Sequence, residues 1–382
     1  MGYNAFAMAT AAGPVVHPPV EERAVQATVL TPAGSRVVSL DVFRGLTMIL
    51  LLSHGFGLLE ALKGKEGFLA SQLDHAPWVG CTLWDLIQPA FTFIVGAAMP
   101  FAIRSRMQKG EPRSAIFRHV VWRAVLLIVL SNVLSNWNNS SPPRLQLINV
   151  LCQIGLGYVM CFLIMQLRFR WQVAAGFALM VLHQALFFAF PGPQGPFDPT
   201  GNIGAVLDQQ WLGYNYSGNY TTLNFLGNGI TILFGVWTGM LFATPGTHAR
   251  RLRILSVCAA GAFVSGMILS MWIPMVKRLW TASFTLYSTG WLLAGLMALY
   301  WIVEMQGWKR WAFPAIVVGT NCIFIYSFSQ VLRGWLSRGI GNFTGHFWFL
   351  GPWGEVPHNL LVFGVMWYLC FWLYQRRIFF KI

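Results

Sequence analysis

Charged residues are scarce in this sequence. Of its 382 residues only 10% are Asp, Glu, Lys or Arg, whereas 56% are hydrophobic and the mean hydropathy is +0.56. An ordinary soluble domain carries about 25% charged residues. A water-soluble fold of this length would therefore have too few polar side chains to cover its surface. The scarcity excludes a soluble enzyme or binding domain and predicts an integral membrane protein, with the lipid bilayer as its surroundings.

Paired cysteines are also absent. The six cysteines include no C-x-x-C pair, and five of the six lie within apolar runs. This spacing predicts neither a disulfide framework nor a zinc site. We interpret the cysteines as small apolar packing residues, and no metal is expected.

A signal peptide is not visible at the start of the sequence. Residues 1–35 contain four prolines and no long apolar run, whereas a signal peptide places an apolar stretch directly after a basic region. We interpret residues 1–35 as a short, mobile cytoplasmic tail. Residues 36–382 are then expected to form one transmembrane domain.

Apolar stretches long enough to cross a bilayer, for which a helix needs about 20 residues, recur along this domain. Ten are visible, at about 43–62, 83–103, 120–137, 145–166, 171–190, 223–243, 252–273, 280–304, 311–333 and 358–375. The sequence therefore predicts an all-α, polytopic integral membrane protein with about ten transmembrane helices.

The 26 basic residues are unevenly distributed between the two ends of these helices. With the N terminus in the cytoplasm, 19 of them lie on the inner side and 7 on the outer side. The positive-inside rule then predicts that both termini are cytoplasmic. It also accounts for the net charge of +14 without a nucleic-acid partner.

Ionisable side chains within the spans are the first functional candidates, because a charge in the membrane is costly. His54 and Glu60 lie in the outer half of the first span, Asp85 at the outer start of the second, and His183 in the fifth. Glu304 lies near the inner end of the eighth span. Because four of the five are toward the outer side, we expect any chemistry to take place there.

His75 lies in the first outer connection, ten residues before Asp85. An imidazole beside a carboxylate can act as a general base or as a nucleophile, with the carboxylate orienting the ring. The spacing alone also fits a surface histidine and an aspartate that caps its helix. Cys81 lies between them without an identifiable basic partner, so a thiol nucleophile is not expected.

Basic residues on the inner side include Arg44, Arg104 and Arg106, which could hold the phosphates of a cytoplasmic ligand. Membrane orientation and contact with lipid phosphates explain the same residues, and both interpretations stay open. Tyrosines and tryptophans in the outer connections fit stacking on sugar rings, and they equally fit the aromatic belt at a membrane surface.

Six motifs follow one another in a fixed order along the chain. They are Ser39–Gly45, His75–Gly80, Asp85–Phe91, Phe93–Gly96, Lys277–Ser283 and Gly307–Pro314, with Gly319-Thr320-Asn321 closing the set. Together they resemble the heparan-α-glucosaminide N-acetyltransferase family, in its bacterial branch, over about residues 38–330.

The resemblance implies transfer of an acetyl group from cytoplasmic acetyl-CoA to a sugar amine on the far side of the membrane. It implies that His75 is the active-site histidine, that Asp85 matches the family's aspartate, and that Asn321 matches a late asparagine. The family's asparagine near the outer end of the first helix is missing here, where His54 could substitute. The stretch Val150–Gly155 lacks the family's arginine. These departures leave the acceptor open, and heparan is not expected as the acceptor in a bacterium.

Three functional hypotheses follow. We favour a membrane acyltransferase that uses acetyl-CoA and acts on an amine or hydroxyl of an extracytoplasmic amino sugar or glycan. The intramembrane residues His54, Glu60 and His183 also fit a proton-coupled transporter of a small polar or sugar solute. A non-catalytic binder of glycan or lipid is the third hypothesis. The expected location is the bacterial cytoplasmic (inner) membrane, and whether the chain forms a homodimer is left open.

Overall fold

A computed structural model describes residues 30–31, 37–62, 67–137 and 142–380 of the chain. These residues are mostly helical, with very little strand, which confirms the predicted all-α class. The strands found among them are β1 (Leu30–Thr31) and β2 (Gly246–Thr247), two residues each, which pair antiparallel. The rest of the predicted tail, residues 1–29 and 32–35, lies outside the described residues, so its mobility stays a prediction.

Fourteen α-helices follow one another in the described residues. They are α1 Val38–Ser53, α2 Leu58–Ala61, α3 Phe68–Gln72, α4 Ile87–Gln108, α5 Arg113–Asn136, α6 Val150–Met165, α7 Phe169–Ala189, α8 Ile203–Leu212, α9 Asn224–Ala243, α10 His248–Leu269, α11 Ala282–Tyr300, α12 Phe313–Thr320, α13 Cys322–Thr344 and α14 Glu355–Gln375.

Seven helical stretches of the described residues are long and apolar enough to cross a membrane, or eight if α1 and α2 count as one bent span. One of the seven, Cys322–Gln375, contains both α13 and α14, and α6 is an apolar helix below the length limit. Helices therefore occupy each of the ten predicted positions, and a polytopic membrane protein is confirmed. The count of ten spans and the cytoplasmic position of both termini stay predictions.

The first predicted span is not continuous. After α1 the chain bends by 58° through the short turn His54–Gly57 before α2 begins. Gly55 and Gly57 adopt φ of +67° and +71°, which favour glycine because a side chain is strained there. A Cβ atom at Gly57 would also lie 2.6 Å from the carbonyl oxygen of Glu355. The turn thus needs glycine both for its backbone and for its contact with α14.

The ninth predicted span is also broken, at Asn321. α12 ends at Thr320 and α13 begins at Cys322, because Asn321 has a non-helical backbone (φ −125°, ψ 38°). α12 packs closely on α1, and a side chain at Gly45 would overlap the carbonyl oxygen of Ala315. The two broken spans therefore lie against each other through a close backbone contact.

The centre of the bundle is formed by α9 packed against α4 and α6. Glycines allow this close packing: a Cβ atom at Gly96 or Gly235 would overlap a carbonyl oxygen of the other helix. Two connections that are predicted to be on the outer side meet, because the amide of Gly80 donates to the carbonyl oxygen of Met275 at 2.8 Å. This meeting point positions the candidate site.

Candidate active site

The structure brings His75 and Asp85 together. His75 Nδ1 lies 2.7 Å from Asp85 Oδ1. Asp85 is 1% exposed in the turn that precedes α4, while the His75 side chain is 43% exposed. A short contact with a carboxylate requires the proton to be on Nδ1, which leaves a lone pair on Nε2. The arrangement can thus supply a base or a nucleophile at Nε2.

Asp85 also organises the loop that carries the histidine. Its Oδ2 accepts hydrogen bonds from the amide of Ala76 at 3.1 Å, and from the amide and hydroxyl of Thr82 at 3.2 and 3.1 Å. These bonds come from residues that precede α4, so the carboxylate holds the loop together and contacts the ring at the same time.

Lys277 completes the group, and no role for it follows from the sequence. Its Nζ lies 3.2 Å from Asp85 Oδ1 and 3.3 Å from His75 Nδ1, and its side chain is 8% exposed. An ammonium group only donates, so it bonds to the carboxylate and is a charged neighbour of the ring. Burial lowers the pKa of Lys277, and the charge of Asp85 opposes that shift.

Lys277 could not have been found from spacing, since it follows His75 by 202 residues. The sequence offered one indication of its importance: Lys277 is a basic residue in a predicted outer connection, where few basic residues are expected. Its motif, Lys277–Ser283, starts with a short turn, Lys277–Leu279, and the side chain of Lys277 reaches His75 of the first outer connection.

Cys81 lies in the same loop and is half-buried. Burial, together with the nearby charge of Asp85, raises the pKa of its thiol to about 12. A thiol is nucleophilic only as thiolate, so the geometry agrees with the expectation that Cys81 is not the nucleophile.

A partly exposed aromatic cluster lies beside these residues. The guanidinium of Arg278 is 5.8 Å from the ring centres of both Trp78 and Tyr220, within the range of cation–π attraction. The indole of Trp78 donates to the carbonyl oxygen of Phe197 at 3.2 Å, which fixes its orientation. Trp78 and Tyr220 belong to the aromatic residues that the sequence assigned either to sugar stacking or to the membrane belt.

A cavity of about 370 Å³ opens between α1, α4, α5, α6 and α13. Most of its wall is apolar, with Met48, Phe91 and Ile154 among the lining residues, and Arg44 and Arg123 add positive charge. The Arg123 guanidinium lies 4.9 Å from the ring centre of Tyr158. The cavity therefore suits a slender apolar group attached to an anion.

The three basic residues predicted to bind phosphates have different partners in the structure. Arg44 lines the cavity and lies 3.7 Å from Asp41, as the i, i+3 spacing predicts. Arg104 donates instead to the carbonyl oxygen of Ala243 at the end of α9, at 2.9 Å. Arg106 binds Glu111 at 2.8 Å. Only Arg44 of the three is positioned at this cavity.

Of the two residues suggested to assist His75, the structure describes the side chain of Asn321 only. Asn321 is fully buried at the break between α12 and α13, where it bonds to the backbone of Ile378 and Phe380. It has no contact with the His75 group. The side chain of His54 lies outside the part of the chain that the structure describes, so its role stays a prediction.

Two of the other intramembrane candidates, His183 and Glu304, have structural partners. His183 is buried, and its Nδ1 accepts a hydrogen bond from Gln184 at 2.9 Å. Glu304 accepts the amide of Ser39 at 3.0 Å and thereby caps the start of α1. Among the described residues, no group of three or more His, Cys, Asp or Glu is arranged to hold a metal ion.

Comparison with curated proteins finds two similar acetyltransferases. The chain is 24% identical to the heparan-alpha-glucosaminide N-acetyltransferase of Mus musculus over 419 residues, and 24% identical to that of Homo sapiens over 423 residues. Each alignment covers 92% of this chain. The chain is a distant relative of these acetyltransferases. This confirms the resemblance found in the motifs.

The chain spans about three fifths of the length of these relatives, 61% in both alignments. No family model matches it.

Proposed function

We propose that the protein is a membrane-embedded acetyltransferase. It moves an acetyl group from cytoplasmic acetyl-CoA to an amine or hydroxyl of an extracytoplasmic sugar or glycan. The 2.7 Å contact between His75 and the buried Asp85 carries this proposal, because it supplies an oriented imidazole that a substrate can reach. The distant similarity to N-acetyltransferases supports an acyltransferase of the transmembrane type.

Nε2 of His75 performs the chemistry by one of two routes. As a base, it takes a proton from the acceptor while the acceptor attacks the acetyl carbonyl; the C–S bond breaks and the proton passes to the departing thiolate. As a carrier, Nε2 attacks the carbonyl itself and CoA leaves as thiolate. The acceptor then attacks the acetyl carbon, the Nε2–C bond breaks, and the acceptor's proton passes to the freed Nε2 and from there to the thiolate. Asp85 holds the ring in the required tautomer on both routes.

The cavity between α1 and α4 supports a donor site on the inner side. Arg44 can meet a phosphate, and the apolar wall beyond it extends as far as Phe91 on α4. Phe91 follows Asp85 by six residues, which is about 9 Å along a helix. In this proposal the arm of the donor extends from the cavity toward the His75 group, and the acceptor approaches from the outer side.

The aromatic cluster supports an acceptor site on the outer side. Trp78 and Tyr220 present partly exposed rings near His75, and aromatic faces bind the apolar faces of sugar rings. We place the protein in the bacterial inner membrane, with this cluster outside the cytoplasm. Whether two copies associate is left open.

A proton-coupled transporter is the second candidate, and one observation favours it. Discontinuous helices are typical of transporters, and here the two broken spans, α1–α2 and α12–α13, pack against each other. Transport would require uptake of a solute in the absence of acetyl-CoA.

One experiment separates these functions. Protein is reconstituted into liposomes that enclose a panel of amino sugars and neutral sugars, and labelled acetyl-CoA is added outside. Acetylated sugar inside the liposomes, without sugar exchange in the absence of acetyl-CoA, is the expected result. Sugar uptake or release without acetyl-CoA, with no acetylated product, would replace the proposal by the transporter.

A further inference from the structure

Two cavities adjoin on the inner half of the molecule. The first is the cavity of about 370 Å³ described above, here called the deep chamber. The second, here called the entry chamber, has a volume of about 960 Å³ and is lined by Asp41, Arg44 and Arg377 among others. Arg44, Ala98 and Thr320 line both chambers. A ligand could therefore extend from one to the other.

The segment after α14 runs along the boundary between the chambers. The chain reverses at Arg377, which has φ of +57°, and the amide of Ile378 donates back to the carbonyl oxygen of Leu373 at 3.0 Å. Phe379 then lines the entry chamber, and Phe380 lines the deep chamber. Two neighbouring aromatic rings thus lie on opposite sides of the boundary.

Asn321 holds this segment in place. Its side-chain amide donates to the carbonyl oxygen of Ile378, and its side-chain oxygen accepts the amide of Phe380, both at 3.0 Å. The side chain thereby pairs with the segment as a neighbouring strand would. The ring of Phe380 stacks on Phe324, with 4.9 Å between ring centres and 19° between ring planes. The break at Asn321 frees this residue to make both bonds.

The chambers differ in what they can accept. The deep chamber is walled mostly by apolar side chains, and an anion buried there would lose more hydration than its surroundings replace. Arg44 stands where the chambers meet, and Arg377 lines the entry chamber. An anionic head is therefore stable in the entry chamber, and a slender arm in the deep chamber.

We propose that Phe380 is a specificity-determining gate between the chambers, and that Asn321 is the residue that positions it. The gate admits a narrow, unbranched arm and keeps a bulky anionic head in the entry chamber. With the proposed function, on which this ligand identity rests, the arm is the pantetheine thioester of acetyl-CoA. The gate itself rests on the contacts of Asn321 and Phe380 and on the residues that line the two chambers, without reference to the ligand.

Cys322 provides a test that needs no enzymatic activity, because it lines the deep chamber. Protein in nanodiscs is treated with a membrane-impermeant maleimide that carries a bulky polar group. Labelling of Cys322 is followed by mass spectrometry, with Lys109→Cys, introduced in an exposed connection between helices, as internal standard. Phe380→Ala and Asn321→Ala are expected to raise the rate at Cys322 by about tenfold or more, equivalent to about 1.4 kcal/mol.

Phe379→Ala is the matched control, because the neighbouring ring lines the entry chamber only. It is expected to leave the rate at Cys322 unchanged. If Phe380→Ala does not fold, Phe380→Leu replaces it, because leucine keeps an apolar side chain at this position. Phe380→Leu is expected to give a smaller increase in the labelling rate at Cys322. Equal rates in wild type and every Phe380 and Asn321 variant would overturn the gate. So would an increase in Phe379→Ala as large as that in Phe380→Ala.

Acetyl-CoA is then added to wild type and to Phe380→Ala. Protection of Cys322 in both is the expected result and supports the donor in the deep chamber. If the variants open the chamber but acetyl-CoA protects neither, the gate stands and the donor assignment fails. In an active preparation, Phe380→Ala should change KM for acetyl-CoA far more than kcat, since His75 is untouched.

Discussion

At the scale of single residues, the site depends on one buried carboxylate with two different partners. Asp85 is almost fully buried and carries a charge that only nearby donors can compensate. His75 and Lys277 approach the same oxygen, Oδ1, at 2.7 and 3.2 Å. The hydrogen bond from His75 and the charge of Lys277 together favour the ionised carboxylate, and the ionised carboxylate keeps the imidazole in one tautomer.

Replacement of Lys277 by Met tests this dependence. Breaking a buried ion pair by removing one partner costs about 3–5 kcal/mol, so Lys277→Met should clearly lower the free energy of unfolding. The double variant Asp85→Asn/Lys277→Met removes both charges and should recover part of the loss. Thermal unfolding in detergent compares wild type with the single and the double variant. A single variant as stable as wild type would show that the pair does not stabilise the loop.

The thiol of Cys81 gives a pH prediction. With a pKa of about 12, the group is protonated throughout the neutral range and gains thiolate only as the pH rises toward that value. Alkylation by iodoacetamide at pH 8 should be slower than for an ordinary cysteine, whose pKa is about 8.5, and should increase with pH. Labelling at pH 8 as fast as a free cysteine would contradict the burial of this thiol.

The residue scale also shows what sequence could predict. The His75–Asp85 contact was predicted from a ten-residue spacing and from the resemblance, because both residues belong to one loop. Lys277 was not predicted, since it meets them only through the fold. Asn321 was associated with the site by resemblance, but its bonds are to residues 378 and 380.

At the scale of helices, the breaks in α1–α2 and α12–α13 differ in how well the sequence predicts them. The first break has a local signal in Gly55 and Gly57. The second has none: residues 311–333 read as a continuous apolar span, and Asn321 leaves the helix to bond to a distant segment. Hydropathy reports length and composition, so it located the helices but not this interruption.

The crossing of α1 and α12 is tested at Gly45. Gly45→Ala should destabilise the protein by about 1–3 kcal/mol, as overpacking does, because the added methyl group overlaps the backbone of Ala315. Gly261→Ala, in α10 with open space around it, is the control; it should be neutral or slightly stabilising, because Ala favours helix. Similar unfolding temperatures for both variants would contradict the close crossing.

At the scale of the whole molecule, the orientation in the membrane stays a prediction from the charge distribution. Asp74 and Lys109 are exposed residues of two connections expected on opposite sides. In vesicles of known orientation, an impermeant thiol reagent should label Asp74→Cys from the extracytoplasmic side and Lys109→Cys from the cytoplasmic side. Labelling of both from one side would contradict the predicted topology and the assignment of the two substrates to opposite faces.

The central claim is that His75 carries out acetyl transfer, and a second histidine offers a matched control. His346 is also half-exposed beside a carboxylate, with its Nδ1 3.7 Å from Glu355. The measurement is the acetyl-CoA-dependent transfer rate of His75→Gln and His346→Gln in folded protein. The account predicts a loss of about 10²–10⁴-fold for His75→Gln and an unchanged rate for His346→Gln. A His75→Gln enzyme as active as wild type would contradict it.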